Sequence, residues 1–347
     1  RFAVPAVSQV MLNLCIIVFI ILSGGENIEL VALGTLIGWV LQFVVQIPSM
    51  HRCGLRPKPV FDLKDPGVRE VAALMLPVLV SSAFDQVYII VDRAVASAAT
   101  GSITALDYGN RISTMVSSVL LTSIATVLYP TLVKNTEDPD KFRKTLGFGI
   151  NLNLLIAVPA IAALTLLRLP ITRLIYERGA FTKENSLLTS GTLACYSLGI
   201  LGVGLREIGN RCFYAYKKTT IPTVVGIIVV LLNVVLDIAL YPVWGAAGIA
   251  AATAISSTLS GVTLMVMLYR RLGAVDMKRL LTCLWKTLAA TAAMCVVLLA
   301  ISSALHLSTA TGRAFQLGML GVIAAGGAVY AVLLVLLKTA EFTSALA

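Results

Sequence analysis

Ten stretches of this chain are each long and apolar enough to cross a bilayer, and nothing else in it constrains the fold as tightly. They run roughly over residues 2–22, 28–50, 69–98, 102–132, 143–167, 186–214, 220–243, 247–269, 281–304 and 314–337. A spanning helix needs about 20 apolar residues. Within lipid only helices and closed barrels satisfy every backbone N–H and C=O, and the short alternating strands of a barrel are not written here. Hydrophobic residues make up 58% of the sequence and charged residues 13%, too apolar a balance for one soluble core. The expectation is an all-α polytopic membrane protein with ten transmembrane helices.

The net charge of +10 raises the question of nucleic acid, and its distribution answers it. Arg52, Arg56, Lys58, Lys64 and Arg69 lie in the second connection between spans, Lys134, Lys141, Arg143 and Lys144 in the fourth, Lys217 and Lys218 in the sixth, and Arg270, Arg271, Lys278 and Arg279 in the eighth. The first, third and seventh connections carry no Lys or Arg. This alternation is the positive-inside pattern, so even-numbered connections and both chain ends are assigned to the cytoplasm, with no nucleic-acid partner. The fifth connection departs from it, with Arg168, Arg173, Arg178 and Lys183 beside Glu177 and Glu184. Its LIYERGAFT run from Leu174 is amphipathic and suits a short helix on the outer interface.

Charges inside the spans carry the functional signal. From Asp85 to Arg111 a membrane hairpin holds Asp85, Asp92, Arg93, Asp107 and Arg111, turning near Ala99, Thr100 and Gly101. A charge at the bilayer centre costs about 2.5–3.5 kcal/mol on insertion scales, so such residues face a partner or a watery cavity. Arg111 sits about 15 Å deep at 1.5 Å per residue, near the midplane. Its guanidinium can grip phosphate oxygens bidentately. Asp107, one turn earlier, either neutralises it or shares the cavity with it.

Depth matching gathers a second group. Asn233 and Asp237 lie one turn apart in the outer half of the seventh span, Thr253 early in the eighth, and Asp92 just before the outer turn of the hairpin. They offer hard oxygen ligands at one level, a candidate sodium site; the alternatives are interhelical hydrogen bonds, Asp92 paired to Arg93, or a protonated Asp237. Asp85, seven residues before Asp92, is a rival ligand and a candidate for lining the cavity. Arg206, Glu207 and Arg211 near the cytoplasmic end of span six either bridge one another and snorkel, or help hold a gate shut. The six cysteines have no metal-ligand spacing and read as packing residues, and neither His51 nor His306 has a metal-site context.

Taken in order, the first span has Pro5 and then Asn13, and a second, small-residue-rich span follows; the seventh has Pro222 and then Asn233, and the eighth is also small-residue rich. The two pairs look like copies of one unit, as in carriers built from repeats. The proline-rich HRCGLRPKPVFDLKDPGVRE run marks a lobe boundary. The expected organisation is residues 1–50 as the last two helices of one lobe, 51–68 as a cytoplasmic linker, 69–272 as a complete six-helix lobe, and 281–338 as two further helices. Glycines at 318, 321, 326 and 327 thin the last span, either for close helix packing or for a lipid groove.

Three runs, ALDYGNRI from Ala105, LIYERGAFT from Leu174 and REIGNRCFYAYKKTTIPT from Arg206, resemble the MurJ (MviN-type) lipid II flippases, a branch of the multidrug/oligosaccharidyl-lipid/polysaccharide exporter superfamily. Members have two six-helix lobes and two extra helices, so the resemblance implies that the four opening helices are missing here. It further implies a bacterial inner-membrane carrier, a monomer working among membrane lipids, that moves the undecaprenyl-pyrophosphate-linked peptidoglycan precursor to the outer leaflet. No chemistry on the cargo and no cofactor beyond a possible coupling sodium are implied. By that resemblance Arg111 meets the cargo, with Asp107 and Asp85 as candidate cavity neighbours on the reading of the residues above; sodium-coupled members place an ion site on the helices that carry Asp92, Asn233, Asp237 and Thr253. The rival readings are an exporter of another lipid-linked oligosaccharide, a drug exporter, against which a midplane arginine argues, and a polyprenyl-phosphate enzyme, for which no DDxxD-like run or central His exists.

Overall fold

A computed structural model describes residues 3–24, 27–52, 67, 75, 86, 88–123, 128–273, 276–305 and 312–337. Among these residues all regular structure is helical. Seven helices are long and apolar enough to cross a membrane: Ile28–His51, Pro139–Leu166, Lys183–Ala215, Thr220–Trp244, Ala246–Arg271, Met277–Ala304 and Ala314–Leu336. They coincide with seven of the ten expected spans. The first expected span is also helical, with Ser8–Leu22 as a shorter apolar stretch. Most of the third, together with Asp85, Cys53 and nearly all of the linker, lies outside the described residues. The fourth is described as two helices on either side of residues 124–127.

The chain divides into two compact units, Arg1–Met75 and Leu76–Ala347. In the first, α1 (Ala3–Leu22) and α2 (Ile28–Val44) form an antiparallel hairpin, followed by the short α3 (Ile47–Arg52). Phe19 lies against Gly34 and Leu12 against Gly38, while Gln42 donates to Gln9 at 3.2 Å and Gln46 to the Ser8 hydroxyl at 3.4 Å. A Cβ on Gly34 would overlap the Phe19 side chain, so the absence of one sets how closely the helices approach. Asn27 starts α2 by accepting the Leu30 N–H at 3.1 Å.

The second unit begins with α4 (residues 88–96), a turn at Gly101, and α5 (Ser102–Ser123). Then come α6 (Tyr129–Lys134), α7 (Pro139–Leu166), α8 (Arg168–Tyr176), α9 (Lys183–Leu198), α10 (Ile200–Ala215), α11 (Thr220–Trp244), α12 (Ala246–Leu272), α13 (Met277–Ala304) and α14 (Gly312–Leu336). The sequence's sixth span is thus α9 and α10 in series, meeting at Gly199.

α12 is the hub, packed against α9, α10 and α11. Lipid tails are as apolar as leucine, so helices in a bilayer associate through close backbone approach and interhelical hydrogen bonds. The small residues of α12 supply the first. A Cβ on Gly261 would stand 2.7 Å from the Gly202 carbonyl oxygen and 2.8 Å from the Leu205 Cβ. Elsewhere side chains supply the second: the Thr192 hydroxyl donates to the Ala105 carbonyl at 2.7 Å, joining α9 to α5, and Asn153 of α7 donates to the Leu201 carbonyl at 3.1 Å.

The two C-terminal helices, expected as an addition to the lobe, belong to the same compact unit. α13 packs on α7, and Tyr330 of α14 donates to the Leu155 carbonyl at 2.7 Å. The start of α7 and the end of α12 meet at one basic end of this unit, with the Arg143 guanidinium against Gly273. This is the cytoplasmic end by the positive-inside pattern.

Candidate transport cavity and ion site

A cavity of about 440 Å³ opens inside the second unit, between α4, α5, α9, α10, α11 and α12. Its walls mix aliphatic side chains such as Ile89, Val203 and Val230 with hydroxyl and amide groups. Asn110, Ser113, Thr114 and Ser117 line it from α5, at the spacing of one helical face, and Ser256 and Ser257 line it from α12. Among the described residues Arg206 is the one cationic residue in its lining, and no acid lines it. A set of hydroxyl and amide groups around a single arginine suits a polar, anionic guest.

At the upper wall of this cavity the structure brings the predicted ion ligands together. Asp92 and Asp237 are 8% and 0% exposed, and their carboxyls lie close enough to interact electrostatically. Asn233, 3% exposed, lies one turn before Asp237 and lines the cavity together with Thr253. The Thr253 hydroxyl donates to the Ile249 carbonyl at 3.2 Å, leaving its oxygen lone pairs to accept. Both Asp237 oxygens, Asp92 Oδ1 and both side-chain polar atoms of Asn233 have no hydrogen-bond partner among the described residues. Buried polar atoms are rarely left so, and two facing carboxyls share either a proton or a cation. The donor set of two carboxylates, an amide and a hydroxyl fits a small hard cation. No group of three or more His, Cys, Asp or Glu converges among the described residues.

The reading of Asp107 needs correction. It pairs with Arg93, Nη2 to Oδ1 at 3.4 Å, across the α4–α5 turn, and Arg93 is therefore not the partner of Asp92. Arg111, in the middle of α5, is exposed and has no ion pair among the described residues. Asp107 and Arg93 both lie near the hairpin turn, where the long Arg93 side chain reaches Asp107 across the two helices. Asp85 lies outside the described residues.

The outer end of the unit is closed by the α8 segment, a nine-residue helix where the sequence suggested one. Tyr176 stacks on Tyr108 of the DYGNR run with ring centres 4.4 Å apart, and Phe181 closes on both rings. Glu177 accepts from Arg173 at 3.2 Å and from the Ser186 hydroxyl at 3.0 Å, and Arg173 also lies over the Phe315 ring at 5.0 Å. The predicted gating trio separates. Glu207 and Arg211 pair at 2.7 Å, with Arg211 over the Tyr129 ring, whereas Arg206 faces the cavity.

Sequence reasoning passed over Tyr88, Tyr196 and the α5 hydroxyl stripe. Tyr196 stands within electrostatic reach of Asp92 and Asp237. The signal for the stripe was available in the 110, 113, 114, 117 spacing inside an apolar run. Tyr196 carried none, because its nearness to Asp92 and Asp237 comes from how the helices pack, which the sequence does not write. Of the described cysteines, Cys212 and Cys283 are buried in the helix packing.

A family model described as "Lipid II flippase MurJ" matches residues 1–320. The chain is 32% identical over 278 residues to a "Probable lipid II flippase MurJ" of Vibrio cholerae, covering 78% of this chain and 52% of that protein. It is 30% identical over 288 residues to the protein of the same description from Haemophilus influenzae, covering 80% and 56%. A solved structure titled "Lipid II flippase MurJ, inward closed conformation" matches its fold with a TM-score of 0.77 at 24% identity, over 99% of this chain and 68% of that one. The chain spans about half the length of the curated relatives it matches. Its apolar helices and these relatives make it a multi-pass protein of the bacterial inner membrane. On the family match and the shared fold, the chain belongs to the MurJ family.

Proposed function

We propose that the protein is a lipid II flippase, moving the undecaprenyl-pyrophosphate-linked peptidoglycan precursor from the inner to the outer leaflet by alternating access and without chemistry on its cargo. The observation that carries this reading, beside the family's name, is a polar cavity with a single cationic lining residue, Arg206, inside a membrane helix bundle. An amphiphile with a charged diphosphate and a sugar–peptide head needs such a watery, hydrogen-bonding route through the apolar layer. Arg111, without an ion pair, offers the diphosphate a bidentate contact at mid-depth, and Arg206 offers a second contact nearer the cytoplasm. Asp107 serves by fixing Arg93 rather than by touching cargo.

Asp92, Asn233, Asp237 and Thr253 would hold a sodium ion, whose charge would relieve the facing carboxylates and tie α4, α11 and α12 together. Ion binding would thereby bias which way the lobe rocks. Glu207 and Arg211, paired at the cytoplasmic end of α10, would help keep that end shut.

The test is complementation in a bacterium depleted of its own lipid II flippase, using the gene that encodes this chain. Rescue of growth and cell shape supports the assignment. Failure despite membrane expression turns the reading toward another lipid-linked oligosaccharide, which a strain blocked in export of such a glycan would then reveal.

A further inference from the structure

Beside the transport cavity, on the far side of α11, lies a second space of about 550 Å³ whose chemistry is different. It is a groove between α11 and α12. Its α11 wall is a single apolar stripe that starts at Ile221, passes Val224 and Ile228 and ends at Leu232, and its α12 wall runs from Leu259 past Met267 to Arg270 and Arg271. Ile228 is 60% exposed and Leu259 45% exposed, so the groove faces outward. Only its end at the basic pole of the bundle is charged.

Its length matches one leaflet. From Leu259 to Arg270 the helix rises about 16 Å at 1.5 Å per residue. A bilayer's hydrocarbon core is about 30 Å thick, so half of it is about 15 Å. The groove therefore begins at the cytoplasmic headgroup level and stops at the midplane. Its charge is equally one-sided: Arg270 and Arg271 have no ion pair among the described residues, and no acid lines the groove. The basic cleft between α7 and α13 differs, because there Asp140 and Asp276 stand among Arg143, Lys144 and Arg279 and offset part of their charge.

We propose that this groove is a binding site for one anionic glycerophospholipid of the inner leaflet, its phosphate on Arg270 and Arg271 and an acyl chain along the α11 stripe. A bound lipid would brace α11 from outside. Val229 lines both the groove and the transport cavity, and Asn233 follows it by one turn on the cavity side, so the lipid would press on the helix that carries the ion ligands. The inference does not depend on what the cavity transports.

The experiment uses the purified full chain in phosphatidylcholine nanodiscs. Spin-labelled phosphatidylglycerol and spin-labelled phosphatidylcholine are compared for the motionally restricted fraction. An arginine near a charged lipid surface is worth about 1 kcal/mol, or about fivefold in preference. The intact chain is expected to prefer phosphatidylglycerol, R270Q/R271Q to lose that preference, and Ile228→Trp, a lipid-facing change that fills the groove, to lower the restricted fraction of both lipids. Size-exclusion profiles and helical circular dichroism matching those of the intact chain qualify each variant. R143Q/K144Q, at the self-neutralised cleft, is expected to change nothing. Equal restriction of both lipids by the intact chain, an equal loss of preference in R143Q/K144Q, or indifference to I228W would overturn the site. So would displacement of phosphatidylglycerol by equimolar undecaprenyl phosphate, which would give the groove to a polyprenyl chain instead.

Discussion

Asp107 turns its carboxylate to Arg93, 3.4 Å away across the α4–α5 turn, and Arg111 one helical turn further along α5 is left without an ion pair. Both members of the Arg93–Asp107 pair are more than half exposed, a setting in which an ion pair contributes about 0–1 kcal/mol. Arg111, in the middle of α5, has no ion pair among the described residues, and a charge at membrane depth without one is costly.

The first expectation follows from that asymmetry. Arg111→Ala should abolish complementation of a flippase-depleted strain while leaving membrane expression and thermal stability close to those of the intact protein. Arg111→Lys should rescue poorly, because an ammonium cannot reproduce bidentate phosphate contact. Asp107→Asn should rescue nearly fully. Loss of function in D107N equal to that in R111A would mean that the two residues act as a unit.

The ion ligands make a separable prediction. Asp237→Ala and Asn233→Ala should each remove the sodium dependence of transport, and each should remove sodium-dependent thermal stabilisation of the purified protein. Thr253→Val should weaken the dependence without abolishing it, since it deletes one neutral ligand of the four. If sodium stabilises the Asp237→Ala protein as strongly as the intact one, the cluster is not the ion site.

Packing around α12 gives a prediction with an internal control. Gly261→Ala places a methyl group against the Gly202 carbonyl and the Leu205 side chain, both closer than any real Cβ sits. Overpacking of this kind costs about 1–3 kcal/mol, so a clear fall in Tm is expected in detergent. Gly226 on α11 has nothing within 4 Å of its would-be Cβ. Gly226→Ala should therefore leave Tm unchanged or raise it, because alanine restricts the unfolded chain.

How far the sequence could be read differed by the kind of signal. Spans such as 220–243 and 281–304 were legible to within a few residues, because length and hydropathy alone define a helix in lipid. The level shared by Asp92 and Asp237 was legible too, since depth along a spanning helix can be counted from its turn. Rotation about the helix axis could not be counted in this way. That is why Asp107 was offered to Arg111 rather than to Arg93, and why Arg206 was grouped with Glu207 and Arg211 although its side chain lines the cavity. The Tyr108–Tyr176 stack was hidden for a third reason: it joins segments far apart in the chain, and neither carries a pattern that names the other.

That stack belongs to the last prediction, which concerns the outer closure. Glu177 is the acceptor for both Arg173 and the Ser186 hydroxyl, so it ties α8 to α9, while Arg173 reaches across to the Phe315 ring of α14. Glu177→Ala removes the Glu177 carboxylate from Arg173, whose side chain is 14% exposed. Hydrogen bonds to charged groups are worth about 1.5–3 kcal/mol, and the loss should appear as a lowered Tm with reduced complementation. Glu177→Gln keeps an acceptor for Ser186 but not the charge, so it should fall between the two. Tyr108→Ala removes a stacked aromatic pair worth about 0.5–1.5 kcal/mol and should loosen the same closure from the α5 side. A double variant, Glu177→Ala with Tyr108→Ala, tests whether the two contacts form one latch. A combined Tm loss different from the sum of the single losses would show coupling through α8, and strict additivity would show that the polar tie and the aromatic stack close the outer end independently.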